Sequence, residues 1–143
     1  MSLFTNLFSS IIPKPRSSKQ EVVYLSGDDS YGMEITREGD YQAALEDLCG
    51  SRLPQGVSHF ETAWLVVNDN RTGSNNNAVR VEIRGRQVGY LSLEDTIQYR
   101  RYLSTKGMPK AHGQCRAVIK GGWVNSDGGK GPYYVALDIL ALT

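Results

Sequence analysis

Three groups of residues in this chain have the types and spacing to do chemistry. Cys49, His59, His112 and Cys115 could supply a metal with two thiolates and two imidazoles. Only His112 and Cys115 stand close together, at an x2 spacing, and both cysteines fall on apolar faces. Two buried, unreactive cysteines and no metal site is therefore the expectation. Nucleophilic catalysis finds no support: there is no Gly-x-Ser-x-Gly elbow, and two histidines give no triad. Gly128-Gly129-Lys130-Gly131 resembles a phosphate loop, but the first glycine of a Walker motif would fall on Val124. No Ser or Thr follows the lysine either, so a hairpin loop is expected. No cofactor and no catalytic activity are expected.

The third group is basic and aromatic. Arg80, Arg84 and Arg86 lie on or beside one hairpin, and Arg100, Arg101 and Lys106 on the following helix. Tyr41, Tyr90, Tyr99 and Tyr102 interleave with them. Stacking of bases on tyrosine, with phosphates neutralised by arginine, is how small barrels hold single strands.

The elements that must position these side chains are short. Residues 21–25 and 31–35 read as strands. Asp40 has the chemistry of an N-cap, followed by an apolar helical face of Tyr41, Ala44, Leu45, Leu48 and Cys49, with Gly50 as the stop. Residues 61–68 read as a buried strand. Val79, Val81 and Ile83 alternate with Arg80, Glu82 and Arg84, then Arg84-Gly85-Arg86 turns into a strand over 88–91. Ser92 with Asp95 opens a helix over about 93–106, which Gly107 ends. Cys115, Ala117 and Ile119 mark one face of another strand, and residues 133–142 a last one. The sum is an α+β, mostly β fold: a small OB-like barrel of five to seven strands with two helices, about 41–49 and 93–106.

Residues 1–20 form a separate segment, ahead of a domain over 21–143. Leu3, Phe4, Leu7, Phe8, Ile11 and Ile12 make an apolar stripe at helical spacing, which Pro13 and Pro15 end. This tail has the pattern to contact a protein partner or a membrane surface. It lacks the basic start and cleavage site of a signal peptide.

Composition bounds the function classes. A chain of 143 residues with 40% hydrophobic and 22% charged residues is one ordinary globular domain with a tail. No apolar run reaches the ~18 residues of a membrane-spanning helix. Two cysteines fit a reducing, cytoplasmic setting. The net charge of +1 hides an asymmetry. Residues 1–70 carry 5 Lys/Arg against 10 Asp/Glu, and residues 71–130 carry 11 against 4. A basic second half points to a basic face.

The segment Asn77-Ala78-Val79-Arg80-Val81-Glu82-Ile83-x-Gly85-x-x-Val88-Gly89-Tyr90-Leu91 resembles the core signature of the HIRAN domain family. Gly39-Asp40-Tyr41-Gln42 resembles the family's opening of its first helix. Cys115-x-Ala117-x-Ile119-x-Gly121-Gly122-Trp123 and Val135-x-Leu137-Asp138 resemble the closing strands of stand-alone bacterial members. The similarity covers about 35–140. It implies a modified small β-barrel with two helices that holds single-stranded DNA at a 3′-hydroxyl end, alongside a helicase or nuclease partner and in processes such as DNA repair. Carried over, Tyr41 stacks on a base, Asn77 orders the pocket loop and Tyr90 lines the pocket. The family's Tyr-Asp before that loop's Asn-Ala is Ser74-Asn75 here. An aromatic wall is missing, while Asn75 retains the ability to hydrogen-bond a hydroxyl. The expected contacts are stacking on Tyr41 and Tyr90, hydrogen bonds from Asn75 and Asn77, and phosphate contacts from Arg84, Arg86, Arg100 and Arg101. The alternatives are an adaptor that docks a partner through the stripe of residues 3–12, and a nucleotide or small-molecule binding module.

Overall fold

A computed structural model describes residues 20–67, 78–140 and 142. Strands β1 (Val22–Tyr24) and β2 (Met33–Glu34) come first, then a 3-10 turn over Glu38–Tyr41 leading into helix α1 (Gln42–Cys49). Strands β3 (Val57–Val67), β4 (Val79–Ile83) and β5 (Arg86–Tyr90) follow. Helix α2 (Leu93–Thr105), β6 (His112–Gly121) and β7 (Tyr133–Asp138) complete the order. The result is the expected mostly β fold with two helices and a curled sheet. The strands join in the order β2-β7-β6-β3-β4-β5, antiparallel throughout, with short β1 added parallel to the start of β6.

The two ends of that order meet. Beyond β2, Thr36 bridges Tyr90 of β5, so the sheet curls until its first and last strands share one segment. Gly89 makes this possible. A Cβ there would lie 2.6 Å from the Thr36 carbonyl oxygen, so no other residue allows the approach.

Alternation sets the inside. Ala63, Leu65 and Val67 of β3, Val79, Val81 and Ile83 of β4, and Cys115, Ala117 and Ile119 of β6 all face the core. α1 adds Leu45 and Leu48, and α2 adds Tyr99 and Leu103. Each fully buried aliphatic side chain contributes about 1.5–3 kcal/mol of transfer free energy. Val88 of β5 and Leu91 just beyond it are both in the core although three residues apart, which a regular extended chain forbids. A bulge between the pairs Val81–Gly89 and Glu82–Gln87 supplies the extra residue.

The hairpin between β4 and β5 turns on Arg84 and Gly85, both with positive φ (50° and 78°), as a two-residue primed turn requires. Ser92 caps α2 as its sequence predicts: its hydroxyl accepts from the Asp95 N–H at 3.1 Å. Asp40 does not cap α1. Residues 38–41 form their own tight turn, Tyr41 occupies the N-cap position without a side-chain cap, and the Asp40 carboxylate pairs with Arg37 instead. The last strand ends at Asp138 rather than running to 142. The Asp138 side chain there turns to accept the N–H groups of Asp29 and Tyr31. Residues 1–19, and with them the amphipathic stripe, lie outside the described residues. Among the described residues no helix is long and apolar enough to cross a membrane.

Candidate nucleic-acid interface

The site grows from the place where the sheet's ends meet. Past Thr36 the chain turns at Arg37, whose φ of 67° is uncommon for a residue with a Cβ. That turn throws the chain out of the strand and into the 3-10 turn that carries Tyr41. The turn is pinned to the edge of β7: the Gln42 amide donates to the Tyr133 carbonyl at 2.9 Å and accepts from the Tyr133 N–H at 2.8 Å. The Glu38 carboxylate accepts from the Val135 N–H. These side chains satisfy an edge that would otherwise present bare backbone groups, and they fix where Tyr41 stands.

Tyr41 meets Tyr90 edge to face, with ring centroids 6.4 Å apart at 60°. The Arg37 guanidinium lies over the Tyr90 ring, 5.2 Å from its centroid, a cation–π distance. Burial, and then the neighbouring Tyr90 hydroxyl, raise the Tyr41 phenol above its ordinary value. Tyr90 moves the other way. The Gln87 side chain and then Tyr41 stabilise its ionised form, with Arg37 and Arg80 adding positive charge.

Strand register extends this face. Arg80 lies between Tyr90 on one side and Val66 on the other; in the next row Glu82 lies between Gln87 and Trp64. Trp64, Val66, Arg80 and Glu82 alternate with core residues and so point away from the core. Together with Gln20, Val22, Gly85 and His112 they line a cleft of about 470 Å³. The Arg80 Nε donates to Glu82 Oε2 at 3.2 Å. A larger cleft of about 560 Å³, lined by Cys49, Leu53, Gln55 and His59 among others, sits toward the other end of β3 and away from the tyrosines.

The structure brings together some of the expected residues and separates others. Tyr41 and Tyr90 come together as expected. Arg84 and Arg86 do not join them: Arg84 sits in the hairpin turn, and Arg86 at the far end of β5, four residues or roughly 13 Å from Tyr90 at ~3.3 Å per residue. Both are occupied. Arg84 donates to Glu61 at 2.5 Å and to the Leu48 carbonyl at the C-terminus of α1 at 3.0 Å, where a cation is favoured. Arg86 pairs with Asp47 at 2.8 Å. These two arginines tie the hairpin to α1. Arg101 is exposed on α2; Arg100 is half-buried, its Nη1 enclosed without a hydrogen-bond partner among the described residues. Neither makes a hydrogen bond, ion pair or ring contact with Tyr41 or Tyr90. Asn75 and Asn77, with Ser74, lie outside the described residues. Tyr99 is no surface aromatic: it is fully buried under α2.

Sequence reasoning missed Arg37 and Trp64. Arg37 stands alone in an acidic stretch, and Trp64 sits in an apolar run that reads as buried on both faces. The alternation of Ala63, Leu65 and Val67 was the available signal for Trp64. Cys115 lies in the core, where burial pushes its thiol to about 12. The Cys49 thiol is also raised, by burial and then by Glu61. Neither is a ready thiolate. Among the described residues no three His, Cys, Asp or Glu side chains group to hold a metal. No protein-family model, no curated protein and no solved structure matches the chain.

Proposed function

We propose that the chain is a non-catalytic module that binds single-stranded DNA, at a 3′ end, on the face formed by Tyr41, Tyr90, Arg37 and Arg80. The observation that carries this reading is the outward Tyr41–Tyr90 pair with a guanidinium over one ring. Tyr41 is the stacking platform. Tyr90 has Arg37 on its ring and offers its hydroxyl as a donor to a sugar or phosphate oxygen. Arg37, which stands over Tyr90 and must exchange its exposed pair with Asp40, neutralises a phosphate in place of Arg84 and Arg86, with Arg101 and Arg100 further along the strand's path. Asn75 and Asn77 keep the hydrogen-bonding role that the HIRAN resemblance gives them. Arg37 in an uncommon backbone conformation at this point supports the reading, because such conformations concentrate at functional sites. Any helicase or nuclease activity belongs to a partner, in the cytoplasm.

Fluorescence anisotropy tests it. The probes are a labelled single strand with a free 3′-hydroxyl, the same strand with a 3′-phosphate, and a blunt duplex. The free 3′-hydroxyl strand is expected to bind tightest. Tyr41→Ala is expected to cost about 1–3 kcal/mol of binding, the worth of one stacked base, while the circular dichroism spectrum stays unchanged. Equal binding of both single strands overturns the end preference, and no binding of any probe overturns the reading.

A further inference from the structure

Resting on that reading, we propose that the cleft beside Trp64 is a base-selective subsite of the same interface, which takes a guanine. Four observations carry it. The cleft, about 470 Å³, falls in the range of ~300–1,000 Å³ typical of small-molecule sites. Trp64 gives it a half-exposed indole and Val22 and Val66 apolar walls, the lining that a planar base requires. Register makes it continuous with the tyrosine pair: Arg80 is the direct neighbour of Tyr90, and Glu82 is the direct neighbour of Trp64. β3 and β5 are about 10 Å apart, two strand spacings, so a strand seated on Tyr41 reaches Trp64 within a few nucleotides.

Glu82 decides the base. A carboxylate on a face meant only for phosphates would repel them. Here Arg80 holds Oε2, while Oε1 has no hydrogen-bond partner among the described residues. A carboxylate accepts and cannot donate. Among the bases, guanine alone presents two adjacent donors, N1–H and the N2 amino group, which match two carboxylate oxygens. Adenine and cytosine place a ring-nitrogen acceptor beside their amino group, and that lone pair faces the carboxylate unfavourably. The neutral Arg80–Glu82 pair therefore adds selectivity rather than general affinity for the backbone.

Tryptophan fluorescence reads this cleft directly in a full-length Trp123→Phe background, which leaves Trp64 as the only indole. Titration with dGMP is expected to quench it saturably, at least about tenfold more tightly than dAMP or dCMP, the discrimination of one bidentate contact. Glu82→Gln is expected to abolish that preference and leave the quenching in place. Trp64→Leu, followed by calorimetry, is expected to weaken dGMP binding about tenfold or more. Non-saturable quenching, or equal affinity for dGMP and dAMP, overturns the proposal. If a guanine-free single strand binds through Tyr41 while dGMP does not quench Trp64, the subsite falls and the interface stands. If no single strand binds but dGMP still saturates with its preference, the interface falls and the guanine pocket stands.

Discussion

Thr36 and Tyr90 exchange two backbone hydrogen bonds, the Thr36 N–H to the Tyr90 carbonyl at 2.8 Å and the Tyr90 N–H to the Thr36 carbonyl at 2.9 Å. This one antiparallel bridge does two things. It joins the ends of the strand order, and it sets the residue after Thr36 directly over the ring of Tyr90. Closure of the sheet and assembly of the candidate interface are the same event.

Gly89→Ala tests that link. The new Cβ would lie 2.6 Å from the Thr36 backbone oxygen and 2.8 Å from the Ile35 side chain, and the oxygen has no side-chain freedom with which to retreat. The expected cost is about 1–3 kcal/mol, the range for overpacking, read as a lower Cm in urea unfolding. A midpoint equal to wild type would show that the bridge is dispensable.

The arginines divide into two classes, which salt dependence separates. Arg37→Ala should weaken single-strand binding and reduce the slope of log Kobs against log salt by about 1, the loss of one phosphate contact. Arg86→Ala, which loses only its surface pair with Asp47, should leave the slope unchanged and cost no more than about 1 kcal/mol of stability. A slope that falls for Arg86→Ala and not for Arg37→Ala would reverse the assignment.

Glu61 gives the protein an acid-sensitive joint. Burial disfavours its charge, but the hydrogen bonds from Arg84 and His59 outweigh this and hold its carboxyl below the ordinary 4.5. A depressed folded-state value means that the contribution is complete above about pH 4.5 and is lost as the pH falls through the lower folded value. Glu61→Gln should therefore lower the thermal midpoint at pH 7 and flatten its decline between pH 5 and the acid limit. Parallel pH profiles for the two proteins would exclude a charged role for Glu61.

The sequence by itself determined what depends on neighbours along the chain. Period-two alternation marked β4 and β6 and their inward faces, Gly85 marked the hairpin, and Ser92 marked the start of α2, because each rests on local backbone geometry. Tyr41 and Tyr90 were legible as aromatic candidates for the same reason. What only the tertiary structure decided rests on pairings between distant segments. Arg84 and Arg86 have the right chemistry for phosphates, and nothing local foretold that Glu61 and Asp47, 23 and 39 residues away, would occupy them. Tyr99 reads like its neighbours until α2 settles on the sheet and buries it. Arg37 became part of the site only because Thr36 found Tyr90 across 54 residues, and Trp64 only because strand register set Glu82 beside it. A side chain's type is fixed by the sequence, but whether its charge or ring is still free for a ligand is fixed by what the fold places against it.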